Sequence, residues 1–425
     1  NSRFRGVVDV VGETYCATLH GDELEAKRAD EGRWFDTHVA PLGGGHDIRL
    51  VMRNDIRQRG PVRLSLRATP ANGGSALEAS VDLPPEALER EVSVAELVGA
   101  GDEPVSTELV ATVEGRSVRL EWKETWAGPT GRACFQSNHG STNGTGMLEL
   151  VGAGAATDEP DPVLFANIER LAANGVLPLP YPMPVLPAGD RYRFSFSAGK
   201  FLPHLDYLHV AAFDRAGRYL GRERVALPAN LGYLGVEDTP FADALAAEGG
   251  MLLISPPYVE KRLVAYQNCR EDLWIRMTDT VSGDSDISEF QLHNRNLRGY
   301  TVPIGFGQSP QMIKSRTEMM IRFRRDDRFD TRLLLINASP ELKFDRTGDV
   351  ELEFNLPDGR AAARTVTLAP QTWQLASVDD LLPPDVADAP FGWVRVVSDR
   401  LALSAYAALV DRTGGGLGFQ HLWGA

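Results

Sequence analysis

The sequence predicts an all-β protein built as three tandem antiparallel β-sandwich modules with short connecting helices, and three observations point there. At 425 residues the chain exceeds what one compact core supports, since single cores stop growing near roughly 250 residues. A turn-like glycine followed by an apolar strand and a proline recurs three times. The segments after each recurrence alternate apolar and polar residues with a period of two, the pattern of a sheet packed on one face and wet on the other.

Taken in chain order, the first copy opens with His46-Asp47-Ile48-Arg49-Leu50-Val51-Met52, an aspartate leading an apolar strand. Asn72-Gly73-Gly74 then precedes Val81-Asp82-Leu83-Pro84. Asn-Gly and Asp-Gly between apolar runs are hairpin signals, because primed two-residue turns need positive φ at their central positions. Leu88 to Leu97 has mixed periodicity and reads as a helical connector between sheets. Val118 to Trp122 alternates, and the copy closes on Phe135-Gln136.

The second copy is preceded by Val163 to Ala173, apolar at helical spacing and stopped by Asn174-Gly175. Leu177 to Pro184 follows with four prolines and reads as a stiff extended linker or an edge strand. Leu205-Asp206-Tyr207-Leu208 matches the first aspartate landmark, Gly217 the turn, Val225 to Pro228 the strand with its proline, and Phe290-Gln291 the close. Either Leu263 to Tyr266 or Leu273 to Met277 fills the place of the alternating strand. In the third copy the landmarks are Asp330, Asp358-Gly359, Val366 to Pro370, Val378 to Leu382, Leu401 to Tyr406 and Phe419-Gln420. Boundaries near 145 and 300 divide the chain into 1–145, 146–300 and 301–425.

Composition excludes several classes. Acidic residues outnumber basic ones 58 to 44, for a net charge of -14, which repels a phosphate backbone and argues against nucleic acid as a partner. No apolar run reaches the roughly 18 residues a membrane-spanning helix requires. The three cysteines, Cys16, Cys134 and Cys269, are too few and too scattered for a disulfide framework or a zinc site and read as small buried apolar residues, with room for one bridge at most. The start Asn1-Ser2-Arg3-Phe4-Arg5 fits either a processed mature chain or a piece of something longer; export is compatible with it, and an extracellular, cell-surface or periplasmic location is the expectation.

Candidate sites are sparse. His139, His293 and His421 follow the three Phe-Gln pairs, but at offsets of four, three and two residues, so in strands they need not share a face. Trp122 and Trp126 are an even number of residues apart and on one strand share a face, as a glycan platform would require. The loop Ser137-Asn138-His139-Gly140-Ser141 holds a serine and a histidine without the G-x-S-x-G elbow of a serine hydrolase. No cofactor is implied, although Ser282-Gly283-Asp284-Ser285-Asp286, Asp326-Asp327, Asp379-Asp380 and Asp158 to Asp161 could supply calcium ligands. Gly43-Gly44-Gly45 and Gly414-Gly415-Gly416 read as turns, since neither leads into the Lys and helix of a phosphate loop.

The general form resembles the tandem immunoglobulin-like or fibronectin-like sandwiches of bacterial surface and secreted proteins, without the Cys-Trp-Cys pattern of true immunoglobulin domains. The resemblance implies a non-catalytic component that binds, spaces or assembles, with a protein partner or a second copy as its target. The alternatives are a carbohydrate-binding or carbohydrate-active protein, and a serine-type hydrolase using the 137–141 loop.

Overall fold

The computed structural model describes residues 6–11, 16–21, 32–54, 61–70, 72–115, 118–127, 133–138, 181–197, 207–226, 233–255, 274–289, 317–339, 342–398, 403–413, 416–421 and 423–424. The described elements are antiparallel strands with a few short helices between them. A ribbon of β1 (Gly6–Val11) and β2 (Cys16–Gly21) comes first. The strands after it fall into three successive sets.

The first set is β3 (Gly32–Leu42), β4 (His46–Asn54), β5 (Val62–Pro70), β6 (Leu77–Leu83), β7 (Glu89–Ser93), β8 (Val105–Gly115), β9 (Val118–Ala127) and β10 (Ala133–Asn138). The second is β11 (Tyr181–Val185), β12 (Tyr192–Ser197), β13 (Tyr207–Asp214), β14 (Tyr219–Ala226), β15 (Tyr233–Leu234), β16 (Gly250–Ser255), β17 (Trp274–Asp279) and β18 (Ser285–Glu289). The third is β19 (Thr317–Arg324), β20 (Phe329–Asn337), β21 (Gly348–Asn355), β22 (Ala361–Leu368), β23 (Thr372–Ser377), β24 (Phe391–Ser398), β25 (Leu403–Asp411) and β26 (Leu417–His421). In every set the fourth, third, sixth and first strands make one sheet in that order, and the fifth, second, seventh and eighth make the other. A last short strand, β27 (Trp423–Gly424), extends the first of these sheets beyond β19.

Local chemistry explains why the pattern recurs. The third and fourth strands of each set are joined by a tight turn holding Gly73, Gly217 or Gly359, with φ of +83°, +79° and +87°, a region that only glycine enters without strain. Between the fifth and sixth strands lies a connector helix: Val94–Val98, Ala242–Leu245 or Val378–Leu381. Ser93 and Ser377 cap the first and third of these through their hydroxyls. The aspartates that open β4 and β20 hold these caps in place. Asp47 accepts a hydrogen bond from the Ala95 N–H at 2.9 Å, and Asp330 accepts one from the Ser377 hydroxyl at 2.7 Å.

The second set departs from the sequence reading at this landmark. β4 and β20 are second strands, whereas β13, which begins at Tyr207, is a third strand. The aspartates therefore do not mark one equivalent strand in all three copies. The place of the alternating strand is taken by β17, which overlaps the Leu273 to Met277 alternative, and Tyr181 to Pro184 of the proline-rich stretch enter as β11, the edge strand of its sheet, while 177–180 lie outside the described residues. The helix expected over Val163 to Ala173 and the strand alternative Leu263 to Tyr266 lie outside the described residues.

The first set closes on its own core. Ile48, Leu50 and Met52 of β4 meet Leu64 and Leu66 of β5, Val113 of β8 and Trp122 of β9. β5 alternates buried and exposed along its length, so the outer face of its sheet is wet. The third set has such a core too, in which Leu333 and Leu335 pack with Phe323, Leu352, Phe354 and Val394. The opposite face of its β20–β25 sheet is also dry, because Leu334, Ile336, Tyr406, Ala408 and Phe419 belong to the core of the second set. All nine residues of β25 are buried. This corrects the expectation of a wet side at Leu401 to Tyr406: Ser404 alternates in polarity with its neighbours, but the sheet is a middle layer with protein on both faces.

Candidate functional site

The junction of the second and third sets is where the polar residues singled out from the sequence come together. Two equivalent clamps bracket it. Arg191 donates through Nε and Nη2 to Asp279 Oδ2 at 3.0 and 2.7 Å, and Arg328 Nε donates to Asp411 Oδ2 at 2.8 Å. Asp279 and Asp411 are buried, and each directs its other oxygen at the turn that follows its strand. Asp279 Oδ1 accepts from Val281 N–H, and Asp411 Oδ1 from the N–H and hydroxyl of Thr413. Burial works to raise the Asp411 carboxyl, but its hydrogen bonds from Thr413 and Arg328 outweigh it and hold the group below the ordinary carboxylate value.

The two clamped turns then dock on each other. Asp284 Oδ2 accepts from the Gly416 N–H at 2.8 Å, and Asp286 Oδ2 from the Phe419 N–H at 2.7 Å. The Ser282 to Asp286 segment thus supplies acceptors to the neighbouring set. Phe194 meets Phe419 at 5.9 Å between ring centroids, and Phe419 stacks on Tyr406 at 5.4 Å. Nearby, the Trp373 indole N–H donates to the Gly250 carbonyl, while Arg215 lies 4.0 Å over the indole ring and donates to the Trp373 carbonyl. Gly217 sits so close to this corner that a Cβ would lie 2.0 Å from the Pro370 carbonyl oxygen.

A charge network runs along the rim. Asp379 pairs with Arg325 and Arg412, and Asp326 with Arg324 at 2.9 Å. Burial raises the Asp330 carboxyl despite the Ser377 hydroxyl and the cations Arg332 and Arg412 beside it. Asp379 and Asp326 therefore brace loops. Among the described residues no three His, Cys, Asp or Glu side chains are grouped as a metal ion would need.

The eighth strands of the three sets converge. β18 runs beside both β26 and β10, and β2 lies against β10 and β26. These strands carry or lead to the Phe-Gln landmarks. His421 ends β26, opposite Tyr406, while His139 and His293 lie outside the described residues. Of the 137–141 loop, Ser137 and Asn138 are the last residues of β10 and the rest lies outside the description.

Trp122 is 1% exposed in the core of the first set, so it cannot stack on a sugar. Trp122 and Trp126 lie on one strand, β9, and the face at Trp122 points inward. Trp126 pairs across the sheet with His46 and Cys134.

A separate cavity of about 250 Å³ opens in the second set beneath its connector helix. Pro184, Val185, Phe194 and Leu245 form apolar walls, with Glu237 and Asp243 among the polar lining. On the connector the small residues Ala242 and Ala246 line it where the third set places Val378 and Leu382 into its core. Sequence reading missed this cavity, and its signal was the alanine-rich connector.

No protein-family model matches the sequence, and no curated protein matches it. Among solved structures, a viral chemokine binding protein, R17, encoded by rodent gammaherpesvirus Peru aligns over 92% of this chain and 84% of its own, at 7% identity and a TM-score of 0.16. A likeness that slight carries no argument about fold or role.

Proposed function

We propose that the chain is a non-catalytic scaffold that binds or assembles with a protein partner, organised as sandwich domains over 1–145, 146–300 and 301–425. The observation that carries this reading is the shared core at the second junction, where one apolar cluster takes residues from Tyr181 to Met277 and from Leu334 to Phe419. A spacer made of flexibly linked beads would hydrate such faces. Welding them favours a rigid body that presents surfaces in fixed relation. The acids and arginines at the junction are committed to turns and caps, which is the work of a frame.

Exposing the intact chain to a broad set of serine-directed probes and chromogenic glycosides tests the non-catalytic reading, and neither labelling nor turnover is expected. Labelling abolished by His139→Ala would overturn it in favour of a hydrolase at the 137–141 loop. Sedimentation over a wide concentration range then separates the partners: self-association identifies a second copy, and a monomer throughout points to a different protein.

A further inference from the structure

The outer face of the β22-β21-β24-β19 sheet carries aromatic side chains that the core does not use. Phe391 and Trp393 of β24 are 46% and 40% exposed, and Met320 of β19 is 50% exposed. The two rings meet edge-on at 6.4 Å between centroids. They stand on an interior strand of the sheet, with β21 on one side and β19 on the other. Gly392 between them faces inward, where a Cβ would lie 2.6 Å from the Asn355 carbonyl oxygen and 2.8 Å from the Phe323 ring. That close approach seats the backbone tightly and leaves both neighbouring aromatics on the solvent side.

The surroundings of Trp393 are polar and low. Directly across the ladders lie Arg322 on β19 and Asn355 on β21, and beyond Asn355 lies the small Ala361 on β22. One pair along the strand, Arg395 is held between Glu318 and Glu353, at 2.6 Å from the latter, so its charge is already matched. The face is a flat aromatic platform fringed by planar hydrogen-bonding groups and without uncompensated charge at its centre. The equivalent strand of the first set, β8, presents Glu108, Val110 and Thr112 outward, and β16 of the second is buried throughout. Neither of those strands carries an aromatic residue, so the exposed pair belongs to the third set.

We propose that Phe391 and Trp393 form a binding platform for neutral carbohydrate, with pyranose rings stacked on the indole and hydroxyls directed to Asn355 and Arg322. The exposed apolar area of Phe391, Trp393 and Met320 is on the order of 300 Å². That is well short of the roughly 800 Å² each partner contributes to a stable protein interface, and ample for a sugar ring. Matched charge on Arg395 disfavours an anionic ligand and suits a polyhydroxyl one.

The test is affinity electrophoresis of the intact chain through gels holding a mixed-linkage β-glucan, a xylan, a galactomannan or an α-glucan, followed by calorimetry with oligosaccharide from any polymer that retards it. At least one polymer retards the wild type. Trp393→Ala weakens that binding about tenfold or more, Phe391→Ala weakens it less, and Trp393→Phe restores part of it. The melting temperature stays unchanged in all three, because both rings already face water. Retardation by none of the polymers, or retardation that Trp393→Ala leaves intact, overturns the proposal. A monomer–dimer equilibrium abolished by Trp393→Ala also overturns it and makes the face a contact between copies.

Discussion

The first and third strand sets share one strand order and differ in what their second faces do. In the first, β5 is buried on one side and wet on the other, and the apolar cluster closes on residues 42 to 122. In the third, β20 and β25 are apolar on both sides, and the sheet they form is a layer common to two cores. The same topology thus yields a self-contained sandwich or half of a fused one. The choice lies in the residues at alternate positions, with Leu334, Ile336 and Tyr406 standing where a wet sheet would carry polar side chains.

The largest expected effect comes from opening the shared layer. Phe419→Ala removes a ring that touches both Phe194 and Tyr406 and should cost about 3–5 kcal/mol, seen as loss of chemical-denaturation stability in both the second and third sets at once. An equally buried change in the first set, Leu50→Ala, should cost about 2–5 kcal/mol and leave the other two untouched. If Phe419→Ala destabilises the third set alone, the comparison fails.

Next in size is the clamp. Asp411→Ala removes the shared acceptor of Arg328 and Thr413 and should cost about 2–3 kcal/mol, as should Asp279→Ala at the equivalent place. The Asp411 carboxyl is held below its ordinary value, so its contribution is present above about pH 4 and is lost as pH falls through the depressed folded-state value. Denaturation midpoints measured from neutral to strongly acid pH should fall more steeply for the wild type than for Asp411→Asn.

Smaller again is Trp373→Phe, which keeps most of the packing but leaves the Gly250 carbonyl without the indole N–H. It should cost about 1–2 kcal/mol. Last, burial and then the neighbouring Arg222 and Arg224 push the His209 imidazole down to about 4. A histidine kept neutral in the fold loses stability as pH falls from about 6.5, where the unfolded chain takes up its proton, toward 4. The fused second and third sets should therefore weaken together in a mildly acid window that His209→Gln flattens, before Asp411 begins to titrate.

Turn chemistry was the most legible part of the fold. Gly73, Gly217 and Gly359 announce their hairpins because positive φ is a local demand, and the connectors between the fifth and sixth strands are visible in their mixed periodicity. The aspartate landmark held for Asp47 and Asp330, which reach the connector helices 48 and 47 residues further on, and slipped in the second set, where the strand after it is a third strand. Fusion of the second and third sets was hidden, since a strand such as Leu403–Asp411 can be buried by its own partner sheet or by another domain, and periodicity does not distinguish them. Even spacing placed Trp122 and Trp126 on one strand without saying which face looks inward. Phe391 and Trp393, also an even number of residues apart, face water, a difference set by Gly392 and Phe323 beneath them.

The most direct test of the shared core is hydrogen exchange along the intact chain at increasing denaturant. The account predicts two cooperative openings, one over β3 to β10 and one in which β11 to β18 and β19 to β26 lose protection together. Separate openings for the second and third sets would contradict it.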